Sequence, residues 1–242
     1  HVGLKGNLNL VTDYIVCSSF TRKAPWGAFL QGIVTVNAIY ISWGISMIQE
    51  IENRRSIRKY RSDEIDRKLI EEIIYSATLA PSAKNRQPWK FIVYQGEEKD
   101  KLVEVMRHGI NSEKITHELM PEWAFAIPDA ENTVRIMQEA PCLIAVLNTN
   151  QYTPFASIER EKRIVEICDS LSIGAAVENM ILTATGYGLG TLWIANTCFA
   201  YNELIEFIGT DNQLTGIVAV GAANEAPPKR PRKALRDVVE YR

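Results

Sequence analysis

A run of basic residues near position 55 is the first part of the chain that could do chemistry. Arg54-Arg55-Ser56-Ile57-Arg58 places three guanidiniums and one hydroxyl within five residues. A planar guanidinium can donate two parallel hydrogen bonds to phosphate oxygens, so this run is typical of a phosphate site. A solvated basic helix end has the same composition, and the spacing alone leaves that alternative open.

A polar loop between a predicted helix and a predicted strand is the second candidate. Its sequence is Pro81-Ser82-Ala83-Lys84-Asn85-Arg86-Gln87-Pro88-Trp89. Hydroxyl and amide groups bracketed by prolines could present hydrogen-bonding partners to a flat polar ring. A plain connecting loop, with Trp89 anchored in the core, is the alternative.

Three alternating glycines, Gly186, Gly188 and Gly190, form the third candidate. They follow a predicted helix and precede a predicted strand, which is the reverse of the order in a dinucleotide-binding turn. Bare backbone at these positions could bring N–H groups close to a ligand. A helix C-terminus followed by a tight turn would produce the same pattern.

A second basic cluster, Lys229-Arg230-Pro231-Arg232-Lys233, lies near the end of the chain. Such a cluster suits a phosphate, a nucleic acid or simply solvent. The nucleic-acid interpretation is weakened because 27 basic residues face 29 acidic ones, a formal net charge of -2. We therefore predict no nucleic-acid partner.

Composition excludes other kinds of catalytic site. The 242 residues include three histidines and contain no H-E-x-x-H motif or Cys/His cluster, so we predict no metal site. Neither His108 nor His117 stands in a nucleophile motif, which argues against a histidine-based triad. The four cysteines are widely spaced, as is typical of a reduced protein, and we predict a cytoplasmic location.

Helices and strands alternate along residues 47–242 and would position these segments. Apolar spacing after Ser62 predicts a helix that ends before Pro81, and 108–130 is predicted to be an irregular excursion that covers a site. The other predicted helices are 97–107, 131–139, 157–185 and 201–208, and the predicted strands are 91–94, 142–147, 192–194 and 216–221. Interleaved elements of this kind predict one α/β or α+β domain over 47–242.

Residues 1–46 differ from the rest of the chain. No charged residue occurs from Ala24 to Gln49, and an apolar run of that length could anchor a protein in a membrane. Glycine, asparagine, glutamine and serine residues dilute the run, and no linker separates it from the amphipathic segment at Met47. We favour non-native upstream sequence over a genuine additional segment or a membrane anchor.

Taken together, the four candidate segments resemble the FMN-dependent nitroreductase family in its shorter form. Four motifs occur in the family's order and spacing. They are Arg-Arg-Ser-Ile-Arg-Lys-Tyr, the Pro-Ser-Ala-Lys-Asn-Arg-Gln-Pro-Trp loop, Gly-Leu-Gly-Thr-Leu-Trp-Ile and Lys-Arg-Pro-Arg-Lys. The resemblance covers essentially all of 47–242 and none of 1–46. It implies an α+β, three-layer nitroreductase fold, with a mainly antiparallel central sheet flanked by helices, in an intertwined homodimer.

The resemblance also implies a set of FMN-binding residues. Arg54 and Ser56 would bind phosphate and ribityl oxygens, and Arg58 would approach the pyrimidine edge of the ring, where a cation stabilises the charge of the reduced flavin. The loop would reach the FMN of the other subunit, and a backbone N–H of the glycine segment would approach N5. The full set of predicted cofactor residues is Arg54, Arg55, Ser56, Arg58, Pro81, Ser82, Ala83, Asn85, Gln87, Leu189, Gly190, Thr191, Arg230 and Arg232.

The activity that the resemblance implies is a ping-pong reduction. NADH or NADPH would reduce FMN by hydride transfer to N5, and a small electron-poor acceptor, such as a nitroaromatic or a quinone, would then take the electrons. No side chain need act as nucleophile or base. Alternatives are a non-enzymatic flavin-binding or storage protein, a reductive dehalogenase and an enone reductase of the same fold.

Overall fold

The computed structural model describes residues 47–242. The chain divides into two compact units, 1–48 and 49–242, and only Met47 and Ile48 of the first are described. The predictions about residues 1–46, including the membrane anchor, therefore lie outside the described residues. Within 47–242, no helix is both long enough and apolar enough to cross a membrane.

The described residues form six α-helices and four β-strands. The helices are α1 (Gln49–Asn53), α2 (Arg67–Thr78), α3 (Gly96–Thr116), α4 (Ile127–Glu139), α5 (Arg160–Gly186) and α6 (Tyr201–Ile208). The strands are β1 (Trp89–Gln95), β2 (Cys142–Asn148), β3 (Leu189–Ile194) and β4 (Gln213–Ala222). Short 3-10 helices occur at Ala83–Asn85, Pro121–Ala126, Asn196–Ala200 and Leu235–Asp237.

The four strands form one antiparallel sheet in the order β1-β2-β4-β3. Every residue of β2 is buried, which explains why its sequence is continuously apolar rather than alternating. Its alternate side chains enter two apolar clusters on opposite faces of the sheet. Leu143 belongs to the cluster with α3, α4 and α6, and Ile144 to the cluster with α2 and α5.

This arrangement of helix layers around an antiparallel sheet confirms the predicted α+β, three-layer class. The largest aliphatic side chains of the core, such as Leu102 on α3 and Ile73 on α2, are fully buried. Burial of such a side chain stabilises a fold by about 1.5–3 kcal/mol. The two helix layers therefore hold the sheet between them and fix the strand edges at which the candidate segments lie.

The region 108–130 is more regular than the sequence predicted. Helix α3 continues to Thr116, and α4 begins at Ile127, so the irregular part is 117–120 followed by the 3-10 helix. The prediction failed because α3 is only weakly amphipathic, and tertiary packing of Met106 and Ile110 stabilises its second half. Helix α2 also starts later than expected, where the side chain of Asp66 accepts a hydrogen bond from the Lys68 N–H.

Candidate functional site

The first basic run extends the sheet at the free edge of β3. Ser56 forms a parallel bridge with Thr191, and the Ile57 N–H donates to the Thr191 carbonyl at 2.9 Å. The buried Tyr60 hydroxyl donates to the Ile57 carbonyl at 2.9 Å and fixes the far end of the run. Two of the four candidate segments, the basic run and the strand after the glycines, are therefore in direct contact.

The chain after β4 lies on the other side of the same run. The Arg61 N–H donates to the Ala222 carbonyl and the Asn224 N–H to the Lys59 carbonyl, each at 2.9 Å. Further along, the Lys229 ammonium lies 2.8 Å from the Glu52 carboxylate and lowers the pKa of Glu52. The basic cluster at 229–233 therefore begins beside the first basic run.

The three arginines of the first run have different surroundings. Arg55 donates to the carbonyls of Glu52 and Arg54, at 2.8 and 2.7 Å, and so satisfies backbone acceptors at the end of α1. Arg54 makes a long ion pair of 3.9 Å with Glu178, and the Arg58 guanidinium donates to the Ser56 carbonyl at 3.2 Å, while the Arg58 backbone N–H donates to Glu225. Each of the three guanidiniums therefore keeps donors for a ligand, and Arg55 in addition satisfies backbone acceptors through Nη1.

Arg54, Ser56 and Arg58 lie within five residues between the end of α1 and the contact with β3. Two guanidiniums with spare donors and one hydroxyl so close together suit an anion joined to a polar chain. Arg230 and Arg232 of the tail are exposed, and no carboxylate of residues 47–242 forms an ion pair with either. These residues fit the phosphate and ribityl groups of FMN.

Arg58 also faces a cavity of about 250 Å³ that the sequence did not reveal. Its walls are the end of β3 and one face of α4, and its polar lining residues are Asp129, Asn132, Thr133 and Asn196. The Asn196 amide donates to the Thr133 hydroxyl at 2.9 Å. The polar spacing on α4 was the available signal, but only the tertiary structure places this face next to Arg58.

The glycine segment has two roles in the structure. Gly188 has a φ of +75°, which non-glycine residues rarely adopt, and it allows the turn between α5 and β3. A Cβ on Gly190 would lie 2.7 Å from the Ile57 side chain, so Gly190 allows the basic run to approach β3. Thr191 is also buried, whereas Leu189 lines a cavity of about 370 Å³ together with Arg55. Their contact with a cofactor stays a prediction.

The remaining candidate segment, the polar loop at 81–89, contacts a different part of α5 from the first basic run. The Ala83 N–H donates to the Ser172 hydroxyl at 3.3 Å, whereas Arg54 pairs with Glu178. With a rise of 1.5 Å per residue, Ser172 and Glu178 are roughly 9 Å apart along the helix axis, and Gly186 is roughly 12 Å further on. One chain thus brings three of the four segments together and leaves the loop apart.

Polar groups of the loop are partly used within it. The Ser82 hydroxyl accepts from the Gln87 N–H at 3.0 Å, and the Asn85 side chain accepts from the Gln87 amide at 3.3 Å. Pro81, Ser82 and Ala83 border an open, shallow surface against α5 that also includes Cys168 and Leu171. The remaining donors and acceptors of the loop therefore face outward, away from the basic run at 54–58 of the same chain.

The described cysteines do not form a nucleophilic site. Cys142, Cys168 and Cys198 are free thiols. Burial raises the pKa of the Cys142 thiol to about 12 and also raises the pKa of Cys198, so both remain protonated at neutral pH. Neither of these two thiols is therefore a candidate nucleophile.

Comparison with known proteins agrees with the geometry. A model described as the nitroreductase family matches residues 51–222. A Bacillus subtilis protein named NAD(P)H nitroreductase YfhC is 24% identical over 189 residues, which cover 77% of this chain and 89% of that protein. An iodotyrosine deiodinase of Thermotoga neapolitana is 26% identical over 199 residues, covering 78% of this chain and 94% of that protein.

A solved structure shows the same fold. The FMN-dependent nitroreductase NfnB from Mycobacterium smegmatis, in complex with NADPH, superposes with a TM-score of 0.61 at 18% identity. The match covers 80% of this chain and 96% of that one. At this identity the likeness establishes the architecture, while the family match extends over most of the described residues.

Proposed function

Because the chain belongs to the nitroreductase family, we propose that it is an FMN-dependent NAD(P)H oxidoreductase that reduces small electron-poor acceptors. The observation that carries the proposal is the contact of the first basic run with β3 after the glycines, together with the Lys229–Glu52 pair that brings the basic tail beside this run. Arg54 and Arg58 retain hydrogen-bond donors there, beside a polar cavity. The family supplies the reaction class, and these residues supply the binding chemistry.

The residues at this edge divide the binding of FMN between them. Arg54, Arg230 and Arg232 would hold the phosphate, and Ser56 a ribityl hydroxyl. Arg58 would lie at the pyrimidine edge, where its positive charge favours the reduced form. When bound, FMN supplies the hydride and electron transfer between NAD(P)H and the acceptor. The chain itself binds, orients and excludes water.

A second copy of the chain would complete the site. The loop at Pro81–Gln87 lies too far along α5 to join the first run of its own chain. Exposed apolar side chains occur on the same helix, including Ile164, Ile167 and Leu171, which is 71% exposed. Such a surface is typical of an interface between subunits. We propose a homodimer in which Ser82, Ala83 and Asn85 of each copy contact the FMN held by the other.

The acceptor would bind near the segment that precedes α4. Trp123 and Phe125 stack with their ring centroids 5.6 Å apart and are 53% and 77% exposed. Helix α4, which begins two residues later, forms a wall of the cavity beside Arg58. Exposed electron-rich rings stack well on planar, electron-poor molecules. We propose nitroaromatics and quinones as the acceptor class.

Reductive dehalogenation is a second candidate for the same site. It is favoured by the similarity to the iodotyrosine deiodinase of Thermotoga neapolitana over 94% of that protein. Both reactions would use the same cofactor site and differ in the acceptor. The cytoplasmic location inferred from the cysteine pattern remains part of the proposal.

The test is an absorption spectrum of the purified protein, followed by anaerobic addition of NADH or NADPH. Oxidised flavin absorbs near about 370 and 450 nm, and rapid loss of the longer-wavelength band on addition would support the oxidoreductase. Reoxidation by a nitroaromatic, a quinone or an iodinated tyrosine then identifies the acceptor class. A persistent flavin band would indicate a storage protein, and failure to bind FMN after reconstitution would refute the proposal.

A further inference from the structure

The loop between α2 and β1 contains unusual backbone conformations. Lys84, Asn85 and Gln87 have φ angles of 55°, 54° and 50°, in the left-handed region. This conformation is sterically unfavourable for an L-residue, and asparagine tolerates it better than lysine or glutamine does. Such conformations persist where surrounding contacts impose them. Some interaction must therefore hold this loop.

An ion pair joins this loop to helix α5. Among the described residues, Arg86 is the only loop residue paired with an acid, and it lies between the left-handed residues. Its Nε and Nη2 atoms donate to one Asp169 oxygen at 3.0 and 2.6 Å. The Asp169 side chain is 6% exposed and that of Arg86 33%. Removal of either partner would leave a charge uncompensated, which for a buried acid is costly.

Helix α5 holds the start of the same loop through Ser172, one turn after Asp169. The Ser172 hydroxyl accepts from the Ala83 N–H and donates to the Cys168 carbonyl at 2.7 Å. Arg86 therefore joins the loop to the helix through its side chain, while Asn85 is exposed and Ser82 is partly exposed. Arg86 and Asp169 are absent from the predicted cofactor residues, and neither needs to touch a ligand.

We propose that Arg86 and Asp169 are positioning residues, which hold the loop in its left-handed conformation so that Ser82, Ala83 and Asn85 can contact FMN on a second copy of the chain. The proposal rests on the function proposed above for its ligand. Its structural part, the fixing of the loop by the ion pair, is independent of that function.

The experiment compares FMN dissociation constants of Arg86→Ala, Arg86→Lys and Asp169→Asn, measured by flavin fluorescence on the full chain. The apparent constant rises as the fraction of binding-competent loop falls, so we expect an increase of about tenfold for Arg86→Ala and Asp169→Asn. Arg86→Lys, which keeps the charge, should lie between these and the wild type. Arg107→Ala, which removes an exposed pair with Glu104 on α3, is the matched control and should leave the affinity unchanged.

The direction of the change in FMN affinity distinguishes positioning of the loop from simple electrostatic attraction of the phosphate. Loss of Arg86 removes a positive charge and Asp169→Asn removes a negative one, so a purely electrostatic effect would change FMN affinity in opposite directions. Positioning predicts weaker binding in both. Opposite changes, or an unchanged affinity for Arg86→Ala, would overturn the proposal.

A glycine variant tests the backbone argument itself. Glycine adopts a positive φ without steric cost, so Lys84→Gly introduced into Arg86→Ala should recover part of the lost affinity. A structural role unrelated to loop conformation predicts no recovery, and that result would refute positioning. Amide hydrogen exchange of 82–87 should rise in Arg86→Ala and fall back in the double variant.

The exchange experiment also distinguishes the two proposals. If the wild-type chain does not bind FMN, the proposed function is wrong. Amide hydrogen exchange then tests by itself whether the ion pair holds the loop. Unchanged exchange of 82–87 in Arg86→Ala would show that it does not.

Discussion

At the scale of single residues, neighbours in one short run have different roles. Arg55 satisfies backbone carbonyls at the end of α1, whereas Arg54 makes a long ion pair with Glu178 and the Arg58 guanidinium donates to the Ser56 carbonyl. The tail adds Arg230 and Arg232, which are exposed and lack an acidic partner within the described part of the chain. The identity of a residue as arginine therefore does not determine which contacts its side chain makes.

The first prediction concerns the phosphate. Arg54→Ala combined with Arg232→Ala should release FMN, because charge-assisted hydrogen bonds contribute about 1.5–3 kcal/mol each, so the dissociation constant should rise at least about a hundredfold. Flavin retained after gel filtration measures the effect, and circular dichroism checks that the chain stays folded. Arg61→Ala, which removes an exposed ion pair with Asp63, is the control and should bind FMN with nearly wild-type affinity. A double variant that stays yellow would contradict the phosphate assignment.

At the scale of elements, the site depends on how closely the basic run approaches β3. Gly190 lies against Ile57, and the hydrogen bond from the Ile57 N–H to Thr191 holds the contact. The same surface is continued by residues 222–225, which pair with 58–61. The edge of the sheet thus places the basic run against Gly190 and Thr191.

The second prediction is that Gly190→Ala destabilises the fold. The added Cβ would lie 2.7 Å from Ile57 Cγ1, and overpacking of this kind costs typically 1–3 kcal/mol. Urea unfolding measures the change. In an Ile57→Ala background, Gly190→Ala should cost less than it does alone, because the contacts to Cγ1 and Cγ2 are removed while the contact to the Ile57 Cβ at 2.9 Å remains. Gly174→Ala is the control, since its nearest neighbour would be 4.0 Å away, and a destabilisation as large as that of Gly190→Ala would refute the packing argument.

The third prediction concerns the segment that carries the aromatic pair. The buried Glu113 carboxylate accepts from the backbone N–H groups of Glu118, Leu119 and Met120, at 3.2, 2.9 and 2.7 Å. Glu113→Gln replaces an acceptor with a donor, so an N–H group should lose its partner at a cost of about 1–3 kcal/mol. The unfolding free energy and Trp123 fluorescence report this change.

A matched control for Glu113 is available nearby. Glu131 forms an exposed ion pair with Lys114, and exposed pairs contribute at most about 1 kcal/mol. Glu131→Gln should therefore have a smaller effect than Glu113→Gln. Equal stabilities of the two variants would show that the carboxylate of Glu113 does not hold the segment.

At the scale of the whole molecule, the proposed site needs two chains. The fourth prediction is that Leu171→Glu gives a monomer with weaker FMN binding, because a charge would be placed in the proposed interface. Sedimentation and flavin titration measure the two effects. Ile115→Glu is the control, since Ile115 is 81% exposed on α3, across the sheet from α5. A Leu171→Glu variant that stays dimeric with unchanged affinity would contradict the proposed interface.

The sequence by itself determined the local elements and the family. Helix α6 was predicted at 201–208 and found at Tyr201–Ile208, and β2 was predicted to within one residue. These predictions succeed because apolar periodicity and capping act over a few residues. The four motifs in order were likewise visible in the sequence, and the family match confirms the resemblance that they carried.

Only the tertiary structure decided which segments meet. Ser56 lies beside Thr191 because β3 pairs with β4 at the edge of the sheet, and the chain after β4 returns along 58–61. The tertiary structure also distinguished the contacts of Arg55 from those of Arg54. It placed the polar face of α4 next to Arg58, and the loop next to Asp169 of α5. These relations join residues far apart in sequence, so they depend on the packing of the whole domain, and no local pattern reports them.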